Sequence, residues 1–161
     1  MLYDYCETGL IGTLTLAGDE AGLRRIDFPT TRWPLRVDPI WKRDRAFFKA
    51  AREQLTAYFH AELQYFDLPL APSGTPFQQK VWAALRTIPY GTLVSYKWIA
   101  EKIGNPKAVR AVGGANGHNP LPVVIPCHRV IGSNGTLTGF GGGLQIKECL
   151  IKLENPNYSL S

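Results

Sequence analysis

Residues 95–117 read SYKWIAEKIGNPKAVRAVGGANG, and this stretch decides the architecture of the second half of the chain. Ser95 is a good N-cap, and the segment Tyr96 to Ile103 predicts a short helix that Gly104 stops in the left-handed conformation glycine tolerates. Asn105-Pro106 then caps a further helix running to about Asn116, before Gly117. Two short helices joined by a tight Gly-Asn-Pro turn form a helix-turn-helix pattern. Upstream, Thr75 as N-cap, Pro76 at the first helical position and Gln78 three residues after the cap start another helix, whose buried stripe is Phe77, Val81, Trp82, Leu85 and Ile88. Pro89-Tyr90-Gly91 ends it. Downstream, Leu144 to Leu153 reads as the last helix.

The first half has a different rhythm. Leu10 to Leu16 alternates in the period-2 manner of a strand, and Gly22 to Phe28 pairs back with it across a Gly-Asp-Glu-Ala turn. Phe47, Phe48, Ala51, Leu55, Tyr58 and Phe59 recur at helical spacing between Asp44 and Phe59, and a strand is expected over Gln64 to Leu68. No cluster of catalytic residue types occurs here, so this half is expected to be a scaffold. Trp33, Trp41, Trp82 and Trp98 are read as core or domain-contact residues. The expected class is α+β: a sheet-and-helix domain over residues 1–73, then a mostly helical domain over 74–161.

With 161 residues, 45% of them apolar and 11% aromatic, the chain can bury a substantial core. No apolar run approaches a membrane span, and the opening lacks a signal peptide, so a soluble cytoplasmic protein without membrane contact is expected. The odd count of Cys6, Cys127 and Cys149 argues for reduced thiols, and the absence of CxxC or HxxxH spacing argues against a metal. Charge is uneven. Residues 1–73 carry nine Lys+Arg against ten Asp+Glu, whereas 74–161 carry nine against three. The basic half suits a polyanion.

The helix after Gly104 lacks the long hydrogen-bonding side chains that read a major groove. Ala108, Ala111, Gly113, Gly114 and Ala115 are nearly bare, while Lys107 and Arg110 supply charge. Such a surface suits sequence-independent entry into a DNA minor groove, or else close helix packing.

The reactive constellation is Val123-Val124-Ile125-Pro126-Cys127-His128-Arg129-Val130-Ile131-Gly132, expected as a Pro-bounded apolar strand followed by the cysteine. Pro126 bends the chain, and His128 and Arg129 set cationic groups beside the sulfur, favouring the nucleophilic thiolate. Neighbours on a regular strand point to opposite faces, so His128 reaches the sulfur directly only if the backbone turns, and otherwise through a water. A base of this kind needs an orienting carboxylate. Of Glu101, Glu148 and Glu154, Glu148 is the best placed within the last helix and Glu154 lies at its frayed end. A Cys/His/Glu relay is the chemistry most consistent with the chain and would suit a hydrolase equally well, and the helix-turn-helix by itself also fits a non-enzymatic regulator.

Ser95-Tyr96, Lys107 to Asn116, Asn119-Pro120, Ile125 to Gly132, Gly142-Gly143-Leu144 and Lys147-Glu148 closely resemble the O6-alkylguanine-DNA alkyltransferases, over about residues 74–154. The resemblance implies a ribonuclease H-like roll followed by a winged-helix-like domain. It also implies repair of alkylated double-stranded DNA through the minor groove, by a monomer acting once, without cofactor or metal. Cys127 would be the alkyl acceptor, His128 its base and Glu148 the carboxylate. Asn119 would brace the active-site turn, and Tyr96 would donate a proton to the leaving guanine. Arg110 would fill the gap left by an extruded base, with Lys107, Ala111 and Gly113 along the same DNA-facing helix. Val130 and Ser133 to Gly141, including Phe140, would wall the pocket. Phe140 departs from the tyrosine that many members have there. Some members carry zinc in the first domain, but Cys6 is the sole cysteine before Cys127 here. Related alkyltransferase-like proteins lack the acceptor, and this chain has it.

Overall fold

The computed structural model describes residues 1–31 and 34–159. The N-terminal half is a four-stranded sheet: β1 (Leu2–Glu7), β2 (Thr13–Asp19), β3 (Gly22–Asp27) and β4 (Lys42–Arg43), in the order β3-β2-β1-β4. The β2–β3 hairpin is the one the alternation predicts, although β2 starts three residues later than expected because Leu10 to Gly12 lie in a loop closed by Thr8 N–H to Gly12 O at 3.1 Å, and β1 adds antiparallel to its other side. Strand β1 was not anticipated because an acid occupies an inward position. Asp4 is fully buried, its carboxylate held by Arg43 at 2.9 Å and Arg52 at 2.6 Å. A buried charge persists where it is paired in this way. The pairing also ties β1 to β4 and to α1 (Lys49–Phe59).

The strand expected at Gln64 to Leu68 does not form. The Gln54 side chain takes both backbone bonds of Asp67, at 2.9 and 2.8 Å, and satisfies that stretch without a neighbouring strand. Pairing begins only at Leu70, which bridges Leu23 on the edge of the sheet.

In the second half, α2 (Pro76–Leu85) carries the complete capping box at Thr75 and Gln78. Ser95 accepts from Trp98 N–H at 3.0 Å to start α3 (Tyr96–Lys102), and Gly104 has φ +77°. Helix α4 (Val109–Gly117) starts later than expected. The chain first makes a turn closed by Ala108 N–H to Asn105 O at 3.0 Å, and Ala108, at φ −88° and ψ 24°, is the residue that precedes the helix. Helix α5 (Leu144–Glu154) runs one residue beyond its expected end. Two short strands, β5 (Val94–Ser95) and β6 (Val130–Ile131), pair in parallel beside these helices.

One continuous apolar core runs through both halves, from Leu14, Leu16 and Leu55 to Trp82, Leu85, Val112 and Leu150. Trp82 is buried and donates its indole N–H to Ala115 O at 2.9 Å. Trp41 is half-buried. Trp98 is instead 36% exposed, with Lys102 lying over its ring; Trp33 lies outside the described residues. Ile26 N–H bonds Pro120 O at 2.9 Å, fastening the sheet edge to the segment that leads into the cysteine. No helix among the described residues is long and apolar enough to cross a membrane.

Candidate active site

The segment before Cys127 is a buried turn, where a strand was expected. Ile125 N–H bonds Leu121 O at 2.8 Å, and Val123 sits at φ +75°. A β-branched residue there costs on the order of 1–3 kcal/mol and persists only when its surroundings impose it. Asn119 imposes it. Its amide donates to Ile125 O at 2.7 Å and its carbonyl oxygen accepts from Leu121 N–H at 3.0 Å, spanning the turn from both sides.

Pro126 then hands the chain to one turn of 3-10 helix, Cys127–Arg129. A strand would have thrown Cys127 and His128 to opposite faces. The turn instead leaves Cys127 lining a cavity while His128 and Arg129 both reach one carboxylate. That carboxylate belongs to Glu154. His128 Nε2–H donates to Glu154 Oε2 at 2.6 Å, and Arg129 grips both oxygens, Nε to Oε1 at 2.8 Å and Nη2 to Oε2 at 3.0 Å. Gly91 N–H adds 3.0 Å to Oε1, and the Tyr58 hydroxyl 2.6 Å to Oε2.

Glu148 takes no part. It pairs with Lys152 at 2.9 Å on the outer face of α5. The physical reason is helical phase. Lys147, Leu150, Ile151 and Glu154 recur at helix spacing on the buried side, and Glu148 falls off that stripe. The same periodicity, extended by one residue, is the sequence signal that would have identified Glu154. Tyr58 corrects a second expectation, since the scaffold half supplies a side chain to this network.

Electrostatics divide the labour. Burial pushes the Cys127 thiol up to about 11, against the pull of the Asn119 amide and the Lys147 ammonium. The cation near the sulfur is therefore Lys147. Arg129, expected in that role, is committed to Glu154 and to Ile88 O. Burial, helped by the charges of Arg129 and Lys147, lowers His128 despite the bond and charge of Glu154, which favours a neutral imidazole at pH 7. With Nε2 carrying its proton, Nδ1 is the basic nitrogen, and it has no protein partner. Burial raises Glu154, but bonds from His128 and Arg129 outweigh it and hold the carboxyl far below its ordinary range. Lys147 is itself lowered by burial to about 8 and donates to Thr138 O at 2.7 Å.

The cavity beside Cys127 holds about 230 Å³. Phe140 and Gly141 line it as expected, while Val130 is buried behind β5 pairing and Ser133 is exposed, and neither lines it. Its far wall comes from the sheet edge at Arg25 to Phe28, which sequence reasoning missed. The Phe28 and Phe140 rings lie 5.6 Å apart, and a Cβ on Gly142 would sit 2.4 Å from the Phe28 ring. Asn116 also lines the cavity, with its Oδ1 buried and unpartnered. Tyr96 is half-buried near the sulfur. Its hydroxyl donates to Thr138 O at 3.2 Å, and burial keeps the phenol protonated. On α4, Val112 and Ala115 face inward, whereas Arg110, Ala111 and Gly114 are exposed beside Lys107, with Gly113 half-buried. No cluster able to hold a metal occurs among the described residues.

Comparison with known proteins agrees over both halves. Residues 1–72 match the family described as 6-O-methylguanine DNA methyltransferase, ribonuclease-like domain, and residues 76–156 match its DNA binding domain. A methylated-DNA–protein-cysteine methyltransferase of Methanosarcina barkeri is 52% identical over 157 residues, covering 98% of this chain and 99% of the relative. The crystal structure of Mycobacterium tuberculosis OGT in complex with DNA superimposes with a TM-score of 0.89 at 47% identity, covering 97% of this chain and 94% of that one. An O6-methylguanine-DNA methyltransferase from Pyrococcus kodakaraensis shares the fold at 20% identity and a TM-score of 0.64.

Proposed function

The chain belongs to the 6-O-methylguanine DNA methyltransferase family, and from that premise we propose that Cys127 is the acceptor of the alkyl group it removes from O6-alkylguanine in DNA. The observation that carries this reading is that Cys127, buried at the wall of a cavity, is followed directly by a buried His128 bonded to Glu154. His128 Nδ1 takes the thiol proton, which one water molecule can carry across. The sulfur forms a bond to the alkyl carbon as the carbon–O6 bond breaks, and the electron pair passes to the purine. Tyr96 turns its hydroxyl from Thr138 O to guanine N3 and supplies the proton the base needs. The proton lost by the thiol balances the one gained by guanine, so no co-reactant is consumed. Lys147 favours the thiolate during the step. A thioether has no leaving group for water to displace, and each molecule acts once.

Reaching the lesion requires an extruded nucleotide, at a cost of a few kcal/mol. We read α4 as the minor-groove element, with Arg110 filling the gap. A Cβ at Gly114 or Gly117 would meet nothing within 4 Å, so internal packing does not demand those glycines. Glycine costs a helix about 1 kcal/mol, and close approach by an external partner explains why it is there. Every group in the relay comes from one chain, consistent with a monomer. The three free cysteines fit a reducing, cytoplasmic setting.

Intact mass after incubation with an O6-methylguanine duplex tests the reading. The protein gains one methyl group, located on the Cys127 peptide. An unmodified protein in solution with repaired DNA, or repair by Cys127→Ser, overturns it.

A further inference from the structure

Tyr58 is fully buried in α1 of the N-terminal half, yet its hydroxyl ends on the carboxylate of the relay. It donates to Glu154 Oε2 at 2.6 Å, the oxygen that His128 Nε2–H reaches at the same distance, and lies 3.4 Å from that nitrogen. The ring is held by Phe59, Phe66 and Tyr90, with centroids 5.2, 5.5 and 6.2 Å away. A packed ring cannot swing its hydroxyl elsewhere. We propose that Tyr58 is a positioning residue for alkyl transfer: it fixes Glu154 against His128 and limits how much of the carboxylate's charge the imidazole receives. This inference rests on the Cys127, His128 and Glu154 reading above.

The physical argument concerns one crowded oxygen. Oε2 accepts from His128, Tyr58 and Arg129, while Oε1 accepts from Arg129 and Gly91 N–H. Donors sharing an acceptor compete for its charge. Without the phenol, more negative charge faces the imidazole, and a carboxylate less well neutralised favours imidazolium. An imidazole that already holds a proton cannot take one from the thiol. The other groups facing this pair are Arg129 and Tyr90 toward Glu154, and Arg129 and Lys147 toward His128. Burial and the adjacent carboxylate keep the phenol protonated, so it stays a donor at every working pH.

A tyrosine serving the core alone would lose only stability on conversion to phenylalanine. The test is the single-turnover rate of methyl transfer from an O6-methylguanine duplex, for the full chain and for Tyr58→Phe, from about pH 5 to about pH 9. The acid limb of the variant moves up by about half a pH unit or more. Histidine 15N resonances show the His128 titration moving by the same amount. Superimposable profiles with unmoved His128 resonances, whatever the change in thermal midpoint, overturn the inference. Should the variant not fold, the parent protein decides: an exchange-protected Tyr58 hydroxyl proton with a nuclear Overhauser contact to the His128 ring supports it, and a freely exchanging one overturns it. If the parent forms no methylated Cys127, the underlying reading fails; methylation with unmoved profiles fails this inference alone.

Discussion

His128 Nε2 lies 2.6 Å from Glu154 Oε2, while Glu148, six residues earlier on the same helix, points away to Lys152. The two acids therefore have opposite consequences when neutralised. Glu154→Gln removes the carboxylate that orients the imidazole and strands the buried Arg129 charge. The expected result is transfer slowed by about 10²–10⁴-fold and a loss of roughly 3–5 kcal/mol in stability. Glu148→Gln changes stability by no more than about 0.5 kcal/mol and leaves the rate unchanged. Single-turnover kinetics and denaturant unfolding of both variants check this.

Lys147 trades stability for reactivity. Its folded pKa, about 8 against an ordinary 10.5, means the folded state binds fewer protons than the unfolded one above about pH 8, so stability rises with pH there. Cys127 opposes this beyond about pH 9, because its thiol ionises near 11 folded and 9.0 unfolded. Lys147→Met is expected to raise the thermal midpoint at pH 7, to abolish the rise between about pH 8 and 9, and to slow transfer about tenfold. Calorimetry across pH, beside rate measurements, tests all three.

Gly114 offers a separate trade. Alanine fits there without contact and favours the helix by about 1 kcal/mol, raising the thermal midpoint by roughly 2–4 °C. The added methyl group on the exposed face of α4 lowers affinity for duplex DNA, measured by fluorescence anisotropy at fixed salt. Arg110→Ala weakens repair of duplex DNA more than reaction with free O6-benzylguanine. Equal losses on both substrates would remove the intercalating role.

The two halves meet at Gly142. A Cβ there would sit 2.4 Å from Phe28 in the cavity wall. Gly142→Ala is expected to cost about 1–3 kcal/mol and to slow transfer, and Phe28→Leu in the same chain should return part of both losses. A double-mutant cycle showing no coupling between the positions contradicts this contact.

Much of this was legible before any fold was known, because the signals are local. The Thr75 capping box, the Ser95 cap, the Gly104 stop and the β2–β3 alternation each need only neighbours in sequence, and the Pro-Cys-His-Arg run is enough to single out Cys127 as the candidate nucleophile. Strand β1 was hidden because its inward position is the charged Asp4, stabilised by Arg43 and Arg52 from distant segments. What only the tertiary structure decided is which groups serve Cys127. Glu154 rather than Glu148, Lys147 rather than Arg129, Tyr58 from the other half, and the wall at Phe28 all follow from helix phase and from how the halves pack. Hydrogen bonds and fields act through space over a few ångströms, and separation along the chain does not encode that distance.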